Sequence, residues 1–379
     1  MRVTFAIDSL KLGGAERVLL QWAVWCRDEG WQVLVITRRG PQHDSYPLPE
    51  GIERWVEPKL AKPLQCLGWF AFPFRVFALR QLLRRHRSDL AVGVTTLPSI
   101  KLLLASVGLS LRTVVSERNY PPAKPPALPW CWLRRLTYPW ADLHFVQTRL
   151  TGVWLRQYCG VHRQLVLPNP VIWPLPDRDP LLDPDSILLK GNPLILAAGT
   201  KAYQKGFDRL MPVFAKLASR DLSLQIALLG LAPGHYQGLN QQAWLRDLLG
   251  PQADLQDRLK MPGVSGSMWR WYARATVFVL PSRFEGFPNV LLEAMAVGCA
   301  CIASDCLTGP ADLIRHGENG LLLPVEATTD DWAGAISGLL EDPDRRRWMG
   351  ERAMLVREHY AEQRLRRDCL EAMRRLCHG

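Results

Sequence analysis

Long apolar runs are scarce in this 379-residue chain. Leu102–Leu111 and Leu67–Phe74, the latter broken by Pro73, fall short of the about 20 residues that cross a bilayer. Asp8 stands where an export signal would be apolar, so no export signal is expected. The nine cysteines are odd in number and lack a disulfide-framework spacing, which predicts reduced thiols and a cytoplasmic home. Cys299, Cys301 and Cys306 lie close together, but no His or second Cys pair completes a zinc site; small buried hydrophobes explain Cys299 and Cys301. Asp177-Arg178-Asp179 matches a metal-binding Asp-x-Asp pair, yet it sits in a Pro-rich stretch. The neighbouring Asp183-Pro184-Asp185 shows how cheap the pattern is there. No metal is expected. Gly-x-Ser-x-Gly, Walker and Gly-x-Gly-x-x-Gly patterns are all missing, which leaves hydrolase, NTPase and dinucleotide readings unsupported.

What is present is the composition of a packed globular protein, 48% hydrophobic and 22% charged, at a length that favours two domains. Short apolar runs alternate with amphipathic stretches, the mark of βαβ units around parallel sheets. Strands are predicted at Arg2–Ile7, Gln32–Thr37, Leu90–Val94, Arg112–Val115, Leu143–Gln147 and Gln164–Leu167. A second series follows at Leu194–Ala198, Ser223–Leu229, Thr276–Leu280, Ala300–Ala303 and Gly320–Leu323. Helices are expected at Ala15–Glu29, Phe207–Ser219, Asn289–Val297, Asp331–Leu340 and Pro343–Glu358. The segment between is rich in Pro and Asp and lacks either period, so it reads as a linker. The expected organisation is a Rossmann-like domain over residues 1–170, a linker over 171–192, and a second Rossmann-like domain over 193–360. A C-terminal helix, 361–379, is expected to pack back on the first domain. Ligands of open parallel sheets bind beyond the carboxyl ends of strands, so two such α/β domains are expected to face a cleft.

Acidic charge is short in one half. Residues 1–168 hold 23 Lys/Arg against 11 Asp/Glu and nine of the 15 tryptophans; the remainder holds 24 against 25. A basic, Trp-rich half suits an anionic membrane surface better than nucleic acid. Residues 51–90 alone carry Arg54, Lys59, Lys62, Arg75, Arg80, Arg84, Arg85 and Arg87 against Glu53, Glu57 and Asp89. Trp69, Phe70, Phe72, Phe74 and Phe77 crowd among them, and Val76, Leu79, Leu82 and Leu83 share a helix face. That face is expected to lie on the membrane, the alternative being domain core. Trp130, Trp132, Arg134, Arg135 and Trp140 form a second basic-aromatic cluster.

Three strand-to-helix loops carry candidate chemistry. Gly13-Gly14, ahead of Ala15-Glu16-Arg17, lets the backbone approach a ligand at a helix N-terminus, or makes a tight turn. Gly199-Thr200-Lys201 through Lys205-Gly206 brings two lysines to a helix start, which suits a diphosphate or a solvated loop. In Pro281–Ala294, Glu285 precedes a helix opened by Gly286, Phe287, Pro288 and Asn289, and Glu293 lies within that helix. The amides of Asn289, Val290 and Leu291 are the ones a helix start offers to phosphate. Two carboxylates eight positions apart can bracket a polyol ligand, one at a sugar and one at a ribose; the alternative is that Glu285 caps the helix and Glu293 is a surface residue.

This last segment resembles the Glu-x7-Glu signature of family 4 glycosyltransferases, retaining enzymes of the GT-B fold. The resemblance continues through Gly298, Ser304-Asp305, Gly309–Ile314 and Gly317–Leu322. It also takes in Gly13–Arg17, Lys205-Gly206 and Val166–Pro170. It implies that Glu293 holds the nucleotide ribose, Glu285 contacts the donor sugar, and Phe287–Leu291 backbone groups hold sugar and diphosphate. Lys205 would neutralise the departing diphosphate. Met261–Val264 resembles a loop that reads the base, with Val264 in contact. The family commonly has Arg after the glycine; Thr200 stands there, with Lys201 one residue on to take over its charge. The histidine often used near the sugar is missing from Gly93–Thr96 and Ser116–Asn119. Ser116-Glu117-Arg118-Asn119 resembles the branch that elongates lipid-linked or surface polysaccharides, including bacterial N-acetylgalactosaminyl-, galactosyl- and glucosyltransferases. Glu117, Arg118 and Asn119 would then lie on the acceptor side.

The expectation is a metal-independent retaining glycosyltransferase without a cofactor. It would move a hexose or N-acetylhexosamine from a nucleotide sugar, expected to be a UDP-sugar, to a lipid-linked or polysaccharide acceptor. Its place would be the inner face of the cytoplasmic membrane. A nucleotide-sugar epimerase of the same fold and a non-catalytic nucleotide-sugar-binding partner subunit remain as alternatives.

Overall fold

Strands buried on both faces need helices on both sides of their sheet, and the burial pattern of Leu90–Val94, fully inside at every position, is of this kind. A computed structural model describes residues 1–58, 71–231, 235–236 and 238–378. Lys59, Lys62, Trp69 and Phe70 of the basic-aromatic stretch lie outside the described residues. The chain forms two units, Met1–Asn169 with Gln363–Gly379, and Pro170–Glu362.

The first unit is a seven-stranded parallel sheet. Its strands are β1 (Arg2–Ile7), β2 (Gln32–Thr37), β3 (Glu53–Val56), β4 (Leu90–Val94), β5 (Arg112–Glu117), β6 (Leu143–Val146) and β7 (Gln164–Val166), in the order β3-β2-β1-β4-β5-β6-β7. The reversal between β1 and β4 is a topological switch point, and the Gly13 loop leaves the carboxyl end of β1. Helix α1 (Gly14–Asp28) buries Val18, Leu19, Trp22 and Trp25, the face that the spacing predicts. The C-terminal helix Glu362–His378 packs Leu365, Cys369, Leu370 and Met373 into the same core.

The other helices used below are α2 (Phe72–His86), α3 (Thr96–Ser106), α4 (Leu128–Thr137) and α5 (Arg149–Cys159). On α2 the structure corrects the sequence reading. Leu79, Leu82 and Leu83 are core, packed with Ala6, Leu34, Ile36 and Leu102, so that face is not free to meet a membrane. Arg80 is likewise internal in role: its guanidinium donates to the carbonyls of Ala105 and Val107 and ties α2 to the end of α3.

The second unit holds a six-stranded parallel sheet of β8 (Leu194–Ala198), β9 (Gln225–Leu229), β10 (Leu259–Gly263), β11 (Val277–Leu280), β12 (Cys301–Ser304) and β13 (Leu321–Leu323). Their order is β10-β9-β8-β11-β12-β13. Helices α6 (Phe207–Ala218) and α7 (Asn289–Val297) follow β8 and β11. Residues 171–192, expected as a linker, are strapped to this unit. Val171 and Leu188 are buried in its core, and the carbonyl of Leu182 accepts from Trp271 Nε1 and Ser267 Oγ. Prolines remove donors from this strand-less segment, and the body meets its carbonyls instead, the Gly266 amide at Pro180 O and the Gln225 and Arg274 side chains at Leu189 O. The expected helix Pro343–Glu358 divides into Pro343–Ala353 and Val356–His359.

Candidate active site

The loops at the carboxyl ends of β8, β9 and β10 approach one another through glycine. The amide of Gly199 donates to Leu229 O, and that of Gly230 to Gly263 O at 2.7 Å. A Cβ on Gly230, whose φ is +87°, would come within 3.0 Å of Gly199 O. Val264 follows directly from β10, so the expected Met261–Val264 loop is largely strand. The buried Gln241 side chain clasps the β8 loop from outside, accepting from the amide of Ala202 at 2.7 Å and donating to Thr200 O.

From there a single helical turn, Ala202–Lys205, ends at Gly206 in the left-handed region at φ +68°. Any Cβ at Gly206 would lie 1.9 Å from Pro281 O, so only glycine lets the two loops close. The closure is zipped further. Arg283 pairs with Asp208 through two bonds of 2.7 and 2.6 Å and stacks over the Tyr203 ring at 3.9 Å. Its amide donates to Gln204 O. The Asp208 hydrogen bonds push the Arg283 guanidinium above its usual range.

This zipper brings Lys205 to Glu285. Lys205 Nζ donates to Glu285 Oε1 at 2.6 Å, and Ser282 Oγ donates to the same oxygen at 2.6 Å. The carboxylate is 6% exposed, and Thr308 Oγ1 holds its backbone carbonyl at 2.5 Å. The lysine stem runs across Gly199, where a Cβ would meet Lys205 Cγ at 2.5 Å. A glutamate so placed is oriented, charged and nearly dry, which suits it to a developing positive centre on a ligand. Nearby Cys306 is buried, and that burial pushes its thiol up to about 12.

The turn Gly286–Pro288 packs on Gly309. That residue sits at φ +96°, and a Cβ there would stand 2.6 Å from Pro288 Cδ. Phe287 is buried in the core. Helix α7 begins at Asn289 with no side-chain cap on its N-terminus, and Leu291 and Leu292 donate back to Pro288 O. Val290 and Glu293 are half-buried on α7, and Tyr272 OH donates to Glu293 Oε2 at 3.2 Å. The structure thus gathers Lys205, Glu285, Gly199, Thr200 and Lys201 on two joined loops, while Glu293 is held separately by Tyr272.

In the first unit, the Glu16 carboxylate folds back over Gly13, where a Cβ would meet it at 2.2 Å, and Gly14 opens α1. Glu117 and Arg118 point to opposite faces of the sheet, as neighbours at a strand end do. Glu117 accepts from Tyr138 OH at 2.9 Å and from Thr96 Oγ1; burial raises its pKa. It is an interior group, not a surface one. Arg118 hydrogen-bonds Asn169 and lies over the Trp22 ring at 5.3 Å, and burial lowers its pKa to about 9. Asn119 is half-buried.

Sequence reasoning missed Ser282, Thr308, Gln241, Tyr272 and the Asp208–Arg283 pair. Only Asp208, in the first turn after Gly206, and Arg283, inside the Glu285 segment, carried a signal, as opposite charges in two loops of the same kind. Asp177 of the Asp-x-Asp pair accepts from Trp269 Nε1 at 2.7 Å. Among the described residues no three His, Cys, Asp or Glu side chains gather as a metal site.

Two family models match the chain. One, described as Glycosyltransferase Family 4, covers residues 12–172, and the other, Glycosyl transferases group 1, covers residues 192–342. An N-acetylgalactosamine-N,N'-diacetylbacillosaminyl-diphospho-undecaprenol 4-alpha-N-acetylgalactosaminyltransferase of Campylobacter jejuni is 25% identical over 96% of this chain and 97% of its own. An exopolysaccharide phosphotransferase of Streptomyces coelicolor is 31% identical over 70% of this chain, and the match spans only 26% of that protein's length. Among solved structures, Anabaena HepE in complex with UDP-glucose has a TM-score of 0.81 at 20% identity, covering 98% of this chain and 99% of its own.

Proposed function

The chain belongs to glycosyltransferase family 4 and has the GT-B fold, and from that premise we propose that it transfers a hexose or N-acetylhexosamine from a UDP-sugar to a lipid-linked or cell-surface glycan, with retention. The observation that carries the reading is the Lys205–Glu285–Ser282 cluster, built on two loops that glycine and an Arg283–Asp208 pair hold together. The relative that extends a diphospho-undecaprenol glycan supports the acceptor class, and the UDP-glucose complex supports the donor.

In this reading the donor diphosphate lies against Lys205, Lys201 and the uncapped N-terminus of α7, which together carry its charge without a metal. Glu293 takes the ribose hydroxyls, with Tyr272 fixing the carboxylate. Val264 meets the base. Glu285 faces the sugar and stabilises the oxocarbenium-like centre as the anomeric carbon–phosphate bond breaks. The acceptor hydroxyl forms the new bond on the same face, and its proton passes to the departing phosphate oxygen, so no protein base is required. The enzyme works at the inner face of the cytoplasmic membrane, where a lipid-carried acceptor is found. In this reading the attachment is peripheral; none of the described helices is long and apolar enough to cross a membrane.

A panel of nucleotide sugars tests this directly. One UDP-sugar should raise the unfolding temperature and give acceptor-dependent UDP release; at 100 times its dissociation constant a donor adds about 2.7 kcal/mol. Sugar conversion without any acceptor would point to an epimerase, and donor binding without turnover to a partner subunit; either outcome overturns the proposal.

A further inference from the structure

Helix α4 and the helical turn after it leave a row of large apolar side chains uncovered. Leu128, Trp132, Leu136 and Trp140 recur every fourth residue and are 76, 69, 59 and 46% exposed. The opposite face of α4 is fixed to the body: Trp130 packs edge-on against Phe72 at 4.8 Å, and Arg134 is buried over the Trp154 ring. The stripe is therefore no frayed or half-docked core face. Nearby, Phe74 and Phe77 at the start of α2 are also exposed, and α5 presents Leu150 and Val153.

The charge around it is mostly positive, and Asp142, which shares a hollow with Trp140, is paired with Arg112 at 3.0 Å. From residue 118 to residue 141 there is no Asp or Glu; of the basic residues there, Arg118 and Arg134 are buried, and Lys124 and Arg135 are exposed. Arg135 is exposed beside the stripe, and α5 adds exposed Arg149 and Arg156. A contiguous apolar row of this kind marks an interaction surface. Trp and Leu on one side with arginine beside them is the composition that lies in a headgroup plane.

We infer that the Leu128–Trp140 face is the surface by which this protein docks on an anionic lipid bilayer. Trp132 and Leu136 enter the acyl boundary, and Arg135, Arg149 and Arg156 meet the headgroups. The α2 face that the sequence suggested is core and takes no part. The inference rests on the proposed lipid-carried acceptor, since docking brings the enzyme to the leaflet that holds it.

The experiment is flotation of the full chain with vesicles of phosphatidylcholine alone and of phosphatidylcholine mixed with phosphatidylglycerol. Wild type should partition onto the anionic vesicles and be released by salt. Trp132→Glu/Leu136→Glu should weaken partitioning roughly ten-fold or more. Arg135→Glu should weaken it and flatten the salt response. Leu222→Glu, an equally exposed apolar site in the other unit, should bind as wild type. Because the substituted residues are exposed, the fold is retained, and thermal protection by the UDP-sugar checks it in each variant. Equal partitioning of wild type and the stripe variant overturns the inference. So does a wild type that ignores vesicles yet forms a dimer that the stripe variant dissociates, for then a second copy covers the face. Loss of donor protection in wild type strikes the proposed activity instead and leaves the vesicle result to stand by itself.

Discussion

Replacing Lys205 by Met keeps the stem that crosses Gly199 and removes only the ammonium. Glu285 then keeps Ser282 as its one remaining side-chain donor on Oε1, at 2.6 Å. The side chains of the pair are 15 and 6% exposed, so the carboxylate is left largely dry. Breaking a buried pair from one side costs about 3–5 kcal/mol, because an uncompensated charge remains. Glu285→Gln in the same chain removes that charge, so Lys205→Met/Glu285→Gln should lose less than the two single changes added together. The coupling expected from the cycle is about 2–3 kcal/mol, the scale of a charge-assisted bond in a dry site. Were the pair effectively solvated, the coupling would fall to about 0–1 kcal/mol. Urea denaturation followed by tryptophan fluorescence reads the difference, provided the m-values agree. Additivity within about 0.5 kcal/mol would refute the claim that the two loops are locked through this pair. In catalysis the same Lys205→Met change should slow transfer roughly 10–150-fold, with the larger effect on turnover, since the lysine meets charge that develops on the leaving group.

Gly206→Ala should be among the most damaging single changes, because its Cβ would stand 1.9 Å from Pro281 O and its φ is +68°. Soluble yield and the thermal midpoint should both fall, and a wild-type midpoint would contradict the loop closure described. Glu293→Ala should weaken donor binding about 10-fold or more, with Tyr272→Phe doing less, as judged by titration with UDP. Activity should survive exhaustive EDTA treatment; loss restored by magnesium or manganese would show that the lysines do not carry the diphosphate alone. Burial holds His144 down to about 4. The unfolded chain therefore takes up a proton near pH 6.5 and the folded one only near 4. Stability from this group is full above about pH 6.5 and falls by about 3 kcal/mol as the pH drops toward 4. His144→Gln should flatten that part of the pH–stability curve, and an unchanged slope would assign it elsewhere.

The elements that the sequence revealed are those whose burial imposes a clear pattern. The strands Arg2–Ile7, Gln32–Thr37 and Leu194–Ala198 are inside on nearly every residue, and they stand where the apolar runs predict. Two edge strands escaped. Glu53–Val56 is half polar and mostly exposed, and Leu259–Gly263 contains Pro262, which an edge strand tolerates but which reads as a break. The strapped segment 171–192 was illegible for a related reason: its order comes from partners distant in sequence, the side chains of Ser267 and Trp271 and the backbone of Gly266 and Tyr360, and not from any period of its own. At the site, charge and glycine were readable and hydroxyls were not. Lys205, Glu285 and Gly206 stand out in their loops, whereas Ser282 and Thr308 are common residue types whose role appears only when they converge on Glu285. On α2 the apolar period was right and its destination wrong, since a helix stripe looks alike whether it meets a core or a membrane.

Transfer from a UDP-sugar to a lipid-linked glycan by this enzyme keeps the anomeric configuration. The most direct measurement is the configuration of the new bond by NMR, in product made from an α-linked UDP-sugar and a short-chain diphospholipid glycan. An α-linked, acceptor-dependent product is the result predicted. A β-linked product, or a sugar altered with no acceptor present, would contradict it.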